Sequence, residues 1–409
     1  MAGGQRLRAA AALRTFAFVK RRDPSAVVDG FCRAREALNG ERMIPTTRPI
    51  PQTMHGVLLT GHGGLDKLDY RTDLAVPKPG VGEVLIRVHA AGVNNTDINT
   101  RTGWYSKTVT GASGDEGGTG DAGDAAWSGV PLQLPRIQGA DCCGTIVAVG
   151  EGVDEGRICE RVLVATMQAS LGGGGAYDFG TFGSERDGAF AQYCVALATE
   201  THAVETELSD IELGAIPCAF STAEGMLQRA GVSGADRIFV TGASGGVGMA
   251  AVQLARLRGA HIVAQASAGK AEAVRAAGAD EVVDRDADLL TYPGARSMDV
   301  VVDVVAGPAF PTVIALLKRG GRYVTAGAIA GPMVELDVRD LYLKDLTLFG
   351  STYQPASVFS AIVDHVNAGR LRPLVSKTYP LSEICLAQDA FMAKTYPGKI
   401  VLIPPVDDA

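Results

Sequence analysis

Residues 237–258 read RIFVTGASGGVGMAAVQLARLR. The apolar, β-branched run Arg237–Thr241 has the composition of a strand, a turn of small residues follows at Gly242–Gly248, and the turn runs straight into a helical stretch, Gly246–Arg258. Such a turn leaves the first N–H groups of the helix unpartnered at the positive end of its dipole, and small residues let a phosphate come close. On a GxGxxG frame the three positions are Ala243, Gly245 and Gly248, so alanine replaces the first glycine. Ala243, Ser244, Gly245, Gly246, Val247 and Gly248 are therefore the first candidates for contact with a dinucleotide.

The flanking pattern agrees. After about residue 219, strands at His261–Ala266, Glu281–Asp284, Met298–Val305, Arg322–Ala326 and Thr347–Gly350 alternate with helices at Gly269–Ala277 and Phe310–Lys318. This alternation predicts an α/β fold, a doubly wound parallel sheet with helices on both faces. Where a dinucleotide fold would place Asp or Glu at the end of its second strand, to hold the ribose hydroxyls, the chain reads Ala264, Gln265, Ala266, Ser267. Without that carboxylate nothing repels a 2′-phosphate, while Ser267 can donate a hydrogen bond and Lys270 a charge-assisted one. NADP(H) is the expected cofactor; the alternative leaves Lys270 solvated at the start of its helix.

With 409 residues, 46% of them hydrophobic, the chain is long enough for two packed domains. Residues 1–53 hold ten Lys/Arg against four Asp/Glu, whereas residues 54–409 hold 28 against 41. An acidic body argues against nucleic acid or an anionic membrane as a partner. The longest apolar stretch, near 300–306, is interrupted by Asp303 and falls far short of the roughly 20 residues a bilayer crossing needs. The seven cysteines form no CxxC pair, which speaks against a disulfide framework or a four-cysteine zinc lobe and for a reducing compartment. A cytoplasmic location is expected. Residues 1–22, with six basic residues and no acid, give the mitochondrial matrix as the alternative if they act as a transit peptide.

Pro45, Pro49 and Pro51 mark a linker, and the folded body is expected from about Met54. To about residue 205 it is β-rich, with runs at Gly56–Thr60, Glu83–Val93, Gly144–Val149, Arg161–Thr166 and Ala189–Ala196 that suggest a barrel-like domain. The Gly-rich stretches Gly111–Gly129 and Leu171–Gly183 read as surface loops or lids. The tail offers helical patterns at Val358–Ala368 and Leu381–Lys394 and a last strand, Lys399–Ile403, which is expected to return to the first domain.

The order AAGVNNTDINTRTGWY (90–105), GADCCGTIVAVGEGV (139–153), GAFAQY (188–193), FSTAEGML (220–227), GASGGVG (242–248) and GKIVLI (398–403) is distinctive. Over residues 54–403 the chain resembles the medium-chain dehydrogenase/reductase superfamily, especially its quinone-oxidoreductase-like members. The resemblance implies a GroES-like β-barrel catalytic domain (54–218 and 351–409), a Rossmann cofactor-binding domain (219–350) and a substrate cleft between them, behind a basic extension and linker (1–53). Zinc-dependent members hold their catalytic metal through a Cys after the third strand, a His-Glu pair and a later Cys. The matching positions here are Asn94, Ala140 with Asp141, and Cys218. Two lost ligands leave no three-ligand Lewis-acid site, so no metal is expected, with a site built from Asp97, Asp141 and Cys218 as the open alternative.

Without a metal to polarise an alcohol, hydride donation from NADPH to an already activated acceptor is favoured. The expected partner is a small electrophile, a quinone or the C=C of an α,β-unsaturated carbonyl. An alcohol or aldehyde dehydrogenase with an atypical metal site and a non-catalytic NADPH-binding protein are the alternatives. In related zinc-independent members, residues after the third strand face the nicotinamide. By that match Asn94, donating its amide to the substrate oxygen, and Tyr105, orienting substrate or relaying a proton, are the catalytic candidates, with Asn99 in place of a frequent aromatic. Thr222 matches a residue packed against the nicotinamide, and Lys399 one near the pyrophosphate. Val305, Ala306, Ala326, Gly327, Gly350 and Thr352 follow strand ends and complete the cofactor set. A homodimer or homotetramer through edge strands of the cofactor domain is also implied.

Overall fold

The computed structural model describes residues 49–114, 131–169 and 177–406. The expectations for residues 1–48, for most of the Gly111–Gly129 insert and for the first part of the Leu171–Gly183 loop lie outside the described residues.

In chain order the strands of the first part are β1 (Thr53–Leu59), β2 (Leu68–Ala75), β3 (Glu83–Gly92), β4 (Arg136–Ile137), β5 (Cys143–Val149), β6 (Arg161–Val164), β7 (Met167–Ala169), β8 (Phe179–Thr181), β9 (Tyr193–Leu197) and β10 (Thr201–Ala203). Helices α1 (Asn95–Thr102), α2 (Asp210–Leu213) and α3 (Pro217–Arg229) lead into β11 (Arg237–Val240), α4 (Gly246–Arg258), β12 (His261–Ala266), α5 (Ala271–Ala276), β13 (Glu281–Asp284), β14 (Met298–Asp303), α6 (Phe310–Ala315), β15 (Leu317–Thr325), α7 (Val338–Leu343) and β16 (Thr347–Gly350). The tail adds α8 (Ala356–Asn367), β17 (Val375–Pro380), α9 (Ile384–Met392) and β18 (Lys399–Ile403).

Strands β11–β16 form a parallel sheet in the order β13-β12-β11-β14-β15-β16. Counted from its own first strand this is 3-2-1-4-5-6, the doubly wound order whose switch point lies between β11 and β14. Side chains alternate across it. Ile238 and Val240 of β11 join the core under α3 and α4, whereas Phe239 joins the opposite core with Phe310, Val313 and Ile314 of α6. Burial on both faces is why β11 and β14 read as nearly unbroken apolar runs.

The β domain has a small sheet, β2-β1-β4, and a larger one, β10-β6-β5-β3-β18-β17, with β9 also on β3. As expected, the last strand returns: β18 runs antiparallel to β3, pairing Val401 with Gly92 and Leu402 with Ala91. Gly398, just before β18, bridges to Gly245, and its N–H donates to Ser244 O at 2.8 Å. The end of β3, the start of β18 and the glycine turn therefore converge.

Several boundaries move. Helix α3 crosses the division drawn at 218, and α8 packs against α3, burying Val358, Phe359, Ile362, Val363 and Val366. The stretch 356–367 therefore packs with the cofactor domain, not with the catalytic domain expected from 351 onward. Within the expected Leu171–Gly183 loop, Phe179–Thr181 is strand β8, paired with β7. The helix expected over Phe310–Lys318 stops at Ala315, because buried Leu317 already belongs to β15. Strand β2 was not anticipated: in LDYRTDLA, Leu68, Tyr70 and Leu74 alternate with Asp69, Arg71 and Asp73 and face the core, but the strand is mostly exposed and its charges masked the pattern.

Candidate active site

The chain leaves β3 at Gly92 and turns into α1 with Asn94 as N-cap. The Asp97 carboxylate accepts the Asn94 N–H at 2.7 Å, which fixes the first turn of the helix. Gly103, at φ 72°, ends it in the left-handed conformation. Asn94 thereby lies under the tail strand. Its Nδ2 donates to Asp141 Oδ2 (2.9 Å) and Gly92 O (3.2 Å), and its Oδ1 accepts from Lys399 Nζ at 2.5 Å. Both amide hydrogens have acceptors inside the protein, so the Asn94 amide positions Lys399 and is not directed at a substrate oxygen.

Asp141 is fully buried and both of its oxygens are engaged. Oδ1 accepts the Cys218 N–H at 2.6 Å, and Oδ2 accepts from Lys399 Nζ at 2.8 Å as well as from Asn94. Lys399 is 4% exposed. The close packing is possible because residue 92 is glycine: a Cβ there would fall 2.3 Å from Asp141 Oδ2 and 2.7 Å from Gly214 O. Burial pushes the neighbouring Asp97 carboxyl up to about 7, and the charge of Asp141 adds to it. Tyr105 donates to Thr96 Oγ1 (3.1 Å) and packs edge-on against Trp104; burial raises its phenol to about 12. Thr222 lies within α3, one turn beyond Cys218. Burial, then the charge of Asp141, drives the Cys218 thiol well above its ordinary value.

The glycine turn lies against this cluster. Gly242 takes φ 55°, Ala243 N–H donates to Gln265 O (3.1 Å), and Met249 N–H closes the first turn of α4 on Gly245 O (2.8 Å). No side chain caps α4, so the N–H groups ahead of Met249 stand at a free helix end. The Lys399 stem passes this end, with its Cδ 2.8 Å from where a Cβ on Gly246 would lie. Val305, beside Gly242, and Ala306 are held by Asp303, whose Oδ1 accepts both their N–H groups (2.8 and 3.2 Å). Asp303 also accepts from Thr241 Oγ1 and from Tyr323 OH (2.5 and 2.6 Å).

At the end of β12, Lys270 Nζ donates to Lys394 O. Burial and then the Arg285 charge lower the Lys270 ammonium, and burial and then the Lys270 charge lower Lys394 to about 8. Three cations therefore meet beside Ser267, one of them from the loop after α9. Beyond the carboxyl ends of β15 and β16 lies a cleft of about 620 Å³ whose walls include Ala326, Gly327, Gly350 and Thr352, with Trp104 from the catalytic domain.

A solved structure from Sinorhizobium meliloti 1021, provisionally assigned as an alcohol dehydrogenase, is 46% identical, with a TM-score of 0.77 over 87% of this chain and 98% of that one. Residues 80–206 match the alcohol dehydrogenase GroES-like domain, and residues 246–368 match the zinc-binding dehydrogenase family. The chain belongs to the medium-chain dehydrogenase/reductase superfamily. It is a nicotinamide-cofactor-binding oxidoreductase of that superfamily. Among curated members, human quinone oxidoreductase is 28% identical over 86% of this chain and 98% of its own length. The acryloyl-coenzyme A reductase of Metallosphaera sedula is 27% identical over 85% and 99%.

As a medium-chain dehydrogenase/reductase, the chain can be tested for fit to both groups its relatives carry. The dinucleotide fits: a free helix end, a glycine turn and a strand-end cleft line up. The zinc does not. Asn94 offers an amide already bonded, Ala140 offers no donor, and the Asp141 oxygens hold an internal ammonium and an N–H, which leaves Cys218 as the one usual ligand of the set. Among the described residues no three His, Cys, Asp or Glu side chains are grouped to hold a metal ion. No described helix is long and apolar enough to cross a membrane. Asp303, Lys394 and Arg285, which border the candidate site, were not singled out from the sequence; of these, only Asp303, the carboxylate that closes the apolar run VVV of β14, left a local trace.

Proposed function

We propose that the protein is an NADPH-dependent, zinc-independent reductase that transfers hydride to a quinone or to the C=C of an α,β-unsaturated carbonyl. The observation that carries this reading is the buried Lys399 ammonium between Asn94 Oδ1 and Asp141 Oδ2, a fixed internal cation where zinc-dependent relatives have ligands. The quinone oxidoreductase and acryloyl-coenzyme A reductase relatives support the acceptor class. Hydride is the contribution of the bound dinucleotide.

The residues divide the remaining work. The free end of α4, with Lys399 beside it, receives the pyrophosphate. Thr222, Val305, Ala306, Ala326, Gly327, Gly350 and Thr352 border the path to the nicotinamide end. Ser267, Lys270, Lys394 and Arg285 form the 2′-phosphate pocket, where an anion would relieve the mutual repulsion of three cations. Tyr105 keeps its proton at neutral pH, and on turning its O–H away from Thr96 Oγ1 it would donate to the oxygen on which negative charge develops.

The test is NADPH oxidation across quinones, enones and enoyl thioesters. Turnover is the expected result, and tight NADPH binding with no turnover anywhere would support a non-catalytic role instead. The Sinorhizobium protein favours a second reading, alcohol oxidation; reduction of NADP+ by simple alcohols at rates above those for the acceptor panel would establish it. We also propose a homodimer or homotetramer through β16. This strand is an edge of the parallel sheet, and Leu348 on it and Val338, Tyr342 and Leu343 of α7 are exposed. Light scattering of the Leu348→Lys variant should then report a smaller particle than the parent protein.

A further inference from the structure

The cleft beyond β15 and β16 has a composition that the reductase reading does not require. Trp104, Tyr177, Phe179 and Tyr353 line it, and Tyr353 packs on Tyr177 and Phe179 with ring centroids 5.1 and 5.7 Å apart. The only formal charges among its described lining residues are Lys107 and Arg229, both positive. In a chain of net charge −7, described lining residues that include two cations and no carboxylate set this cleft apart.

The position of Arg229 is informative. It closes α3, whose other end carries Cys218 and Thr222 beside the Asn94–Asp141–Lys399 cluster. Seven residues separate Thr222 from Arg229, about 10 Å along the helix axis. Side chains on a helix lean toward its N-terminus, so Arg229 reaches back into the cleft and not away from it. Gly225, one turn before Arg229, would place a Cβ 3.6 Å from Gln354 Cγ and 3.7 Å from Ser351 Oγ, so the helix lies directly on the strand-end loop that forms the cleft.

We propose that this cleft selects acceptors that join a flat or apolar reactive part to an anionic group, the anion being taken by Arg229 and Lys107 and the apolar part by the aromatic wall. The proposal rests on the reductase reading and narrows its substrate class. Two sources share this chemistry: a quinone bearing its own sulfonate or carboxylate, and an enoyl thioester whose carrier bears phosphates. Arginine and aromatic faces suit both, through charge-assisted hydrogen bonds and stacking.

The test uses the full chain with NADPH and two matched pairs, naphthoquinone against its sulfonate and ethyl crotonate against crotonyl-coenzyme A. The charged member of each pair should have the higher kcat/KM, by about tenfold, with the preference falling in about 0.5 M salt. Arg229→Gln and Lys107→Gln should each lower the charged-over-neutral ratio. A larger preference within the thioester pair assigns the charge to a carrier phosphate, and a larger one within the quinone pair assigns it to the ring. Equal kcat/KM within both pairs, or a ratio that neither substitution moves, overturns the proposal. Turnover of none of the four overturns the reductase reading instead. Calorimetric titration of the NADP+-loaded protein with naphthoquinone sulfonate and with coenzyme A then decides the cleft alone: binding weakened by Arg229→Gln supports the assignment, and no binding overturns it.

Discussion

The ammonium of Lys399 and the carboxylate of Asp141, 258 residues apart in the chain, lie 2.8 Å from each other with 4% and 0% of their side chains exposed. One belongs to the returning tail and the other precedes β5, so the pair ties the last strand to the body of the catalytic domain. Removing one partner of a buried pair leaves a bare charge, at a cost of about 3–5 kcal/mol. Lys399→Met should therefore destabilise the protein by about that amount in urea unfolding. Adding Asp141→Asn, which removes the charge but keeps an acceptor for the Cys218 N–H, should recover more than half of the loss.

Cofactor choice follows from the cations beside Ser267. Lys270→Ala and Lys394→Ala should each lower the preference for NADPH over NADH by about tenfold, as expected for one lost charge-assisted contact. Because Lys394 sits near 8 in the free protein, NADPH affinity should fall as pH rises through about 8, while NADH affinity stays level. Equal losses for the two dinucleotides would refute the 2′-phosphate pocket.

Asp97 gives a pH dependence of stability with a definite sign. Its folded value, about 7, lies above the ordinary 3.8, so the folded protein holds a proton that the unfolded chain releases. The resulting stabilisation is complete below about 4 and is lost as pH rises through about 7. Unfolding midpoints should accordingly decline from pH 5 to pH 8, and Asp97→Asn should flatten that decline. An unchanged slope in the variant would assign the titration to another group.

Tyr105→Phe removes the only catalytic donor the proposal names. A fall in kcat of about a hundredfold is expected, with little change in the KM for NADPH. Loss confined to KM would reduce Tyr105 to a wall of the cleft.

What could be read from the sequence was local. The glycine turn announces itself because strand, small residues and helix are contiguous, and its third glycine is fixed by contact: a Cβ on Gly248 would meet Gly242 O at 2.3 Å and Ala243 Cα at 2.6 Å. The tail strand was legible from KIVLI alone, but its partner, β3, and the meeting of Lys399 with Asn94 were not, since no period or spacing links residues 305 positions apart. The meeting of Lys394 with Lys270 of the other domain was not legible for the same reason. Asn94 was expected to face the substrate because its match in the family was the only guide; its hydrogen bonds depend on where the tail returns. Helix α8 shows the general limit: its amphipathic pattern says that it is buried, not against which core.

On the proposed reading, the ammonium of Lys399, and no metal, stands at the heart of a working site. The most direct measurement is elemental analysis of protein purified without chelator, paired with its rate of NADPH oxidation. Less than a tenth of an equivalent of zinc and a rate untouched by chelation are expected; one equivalent of zinc per chain, removed together with activity, would contradict the metal-free reading.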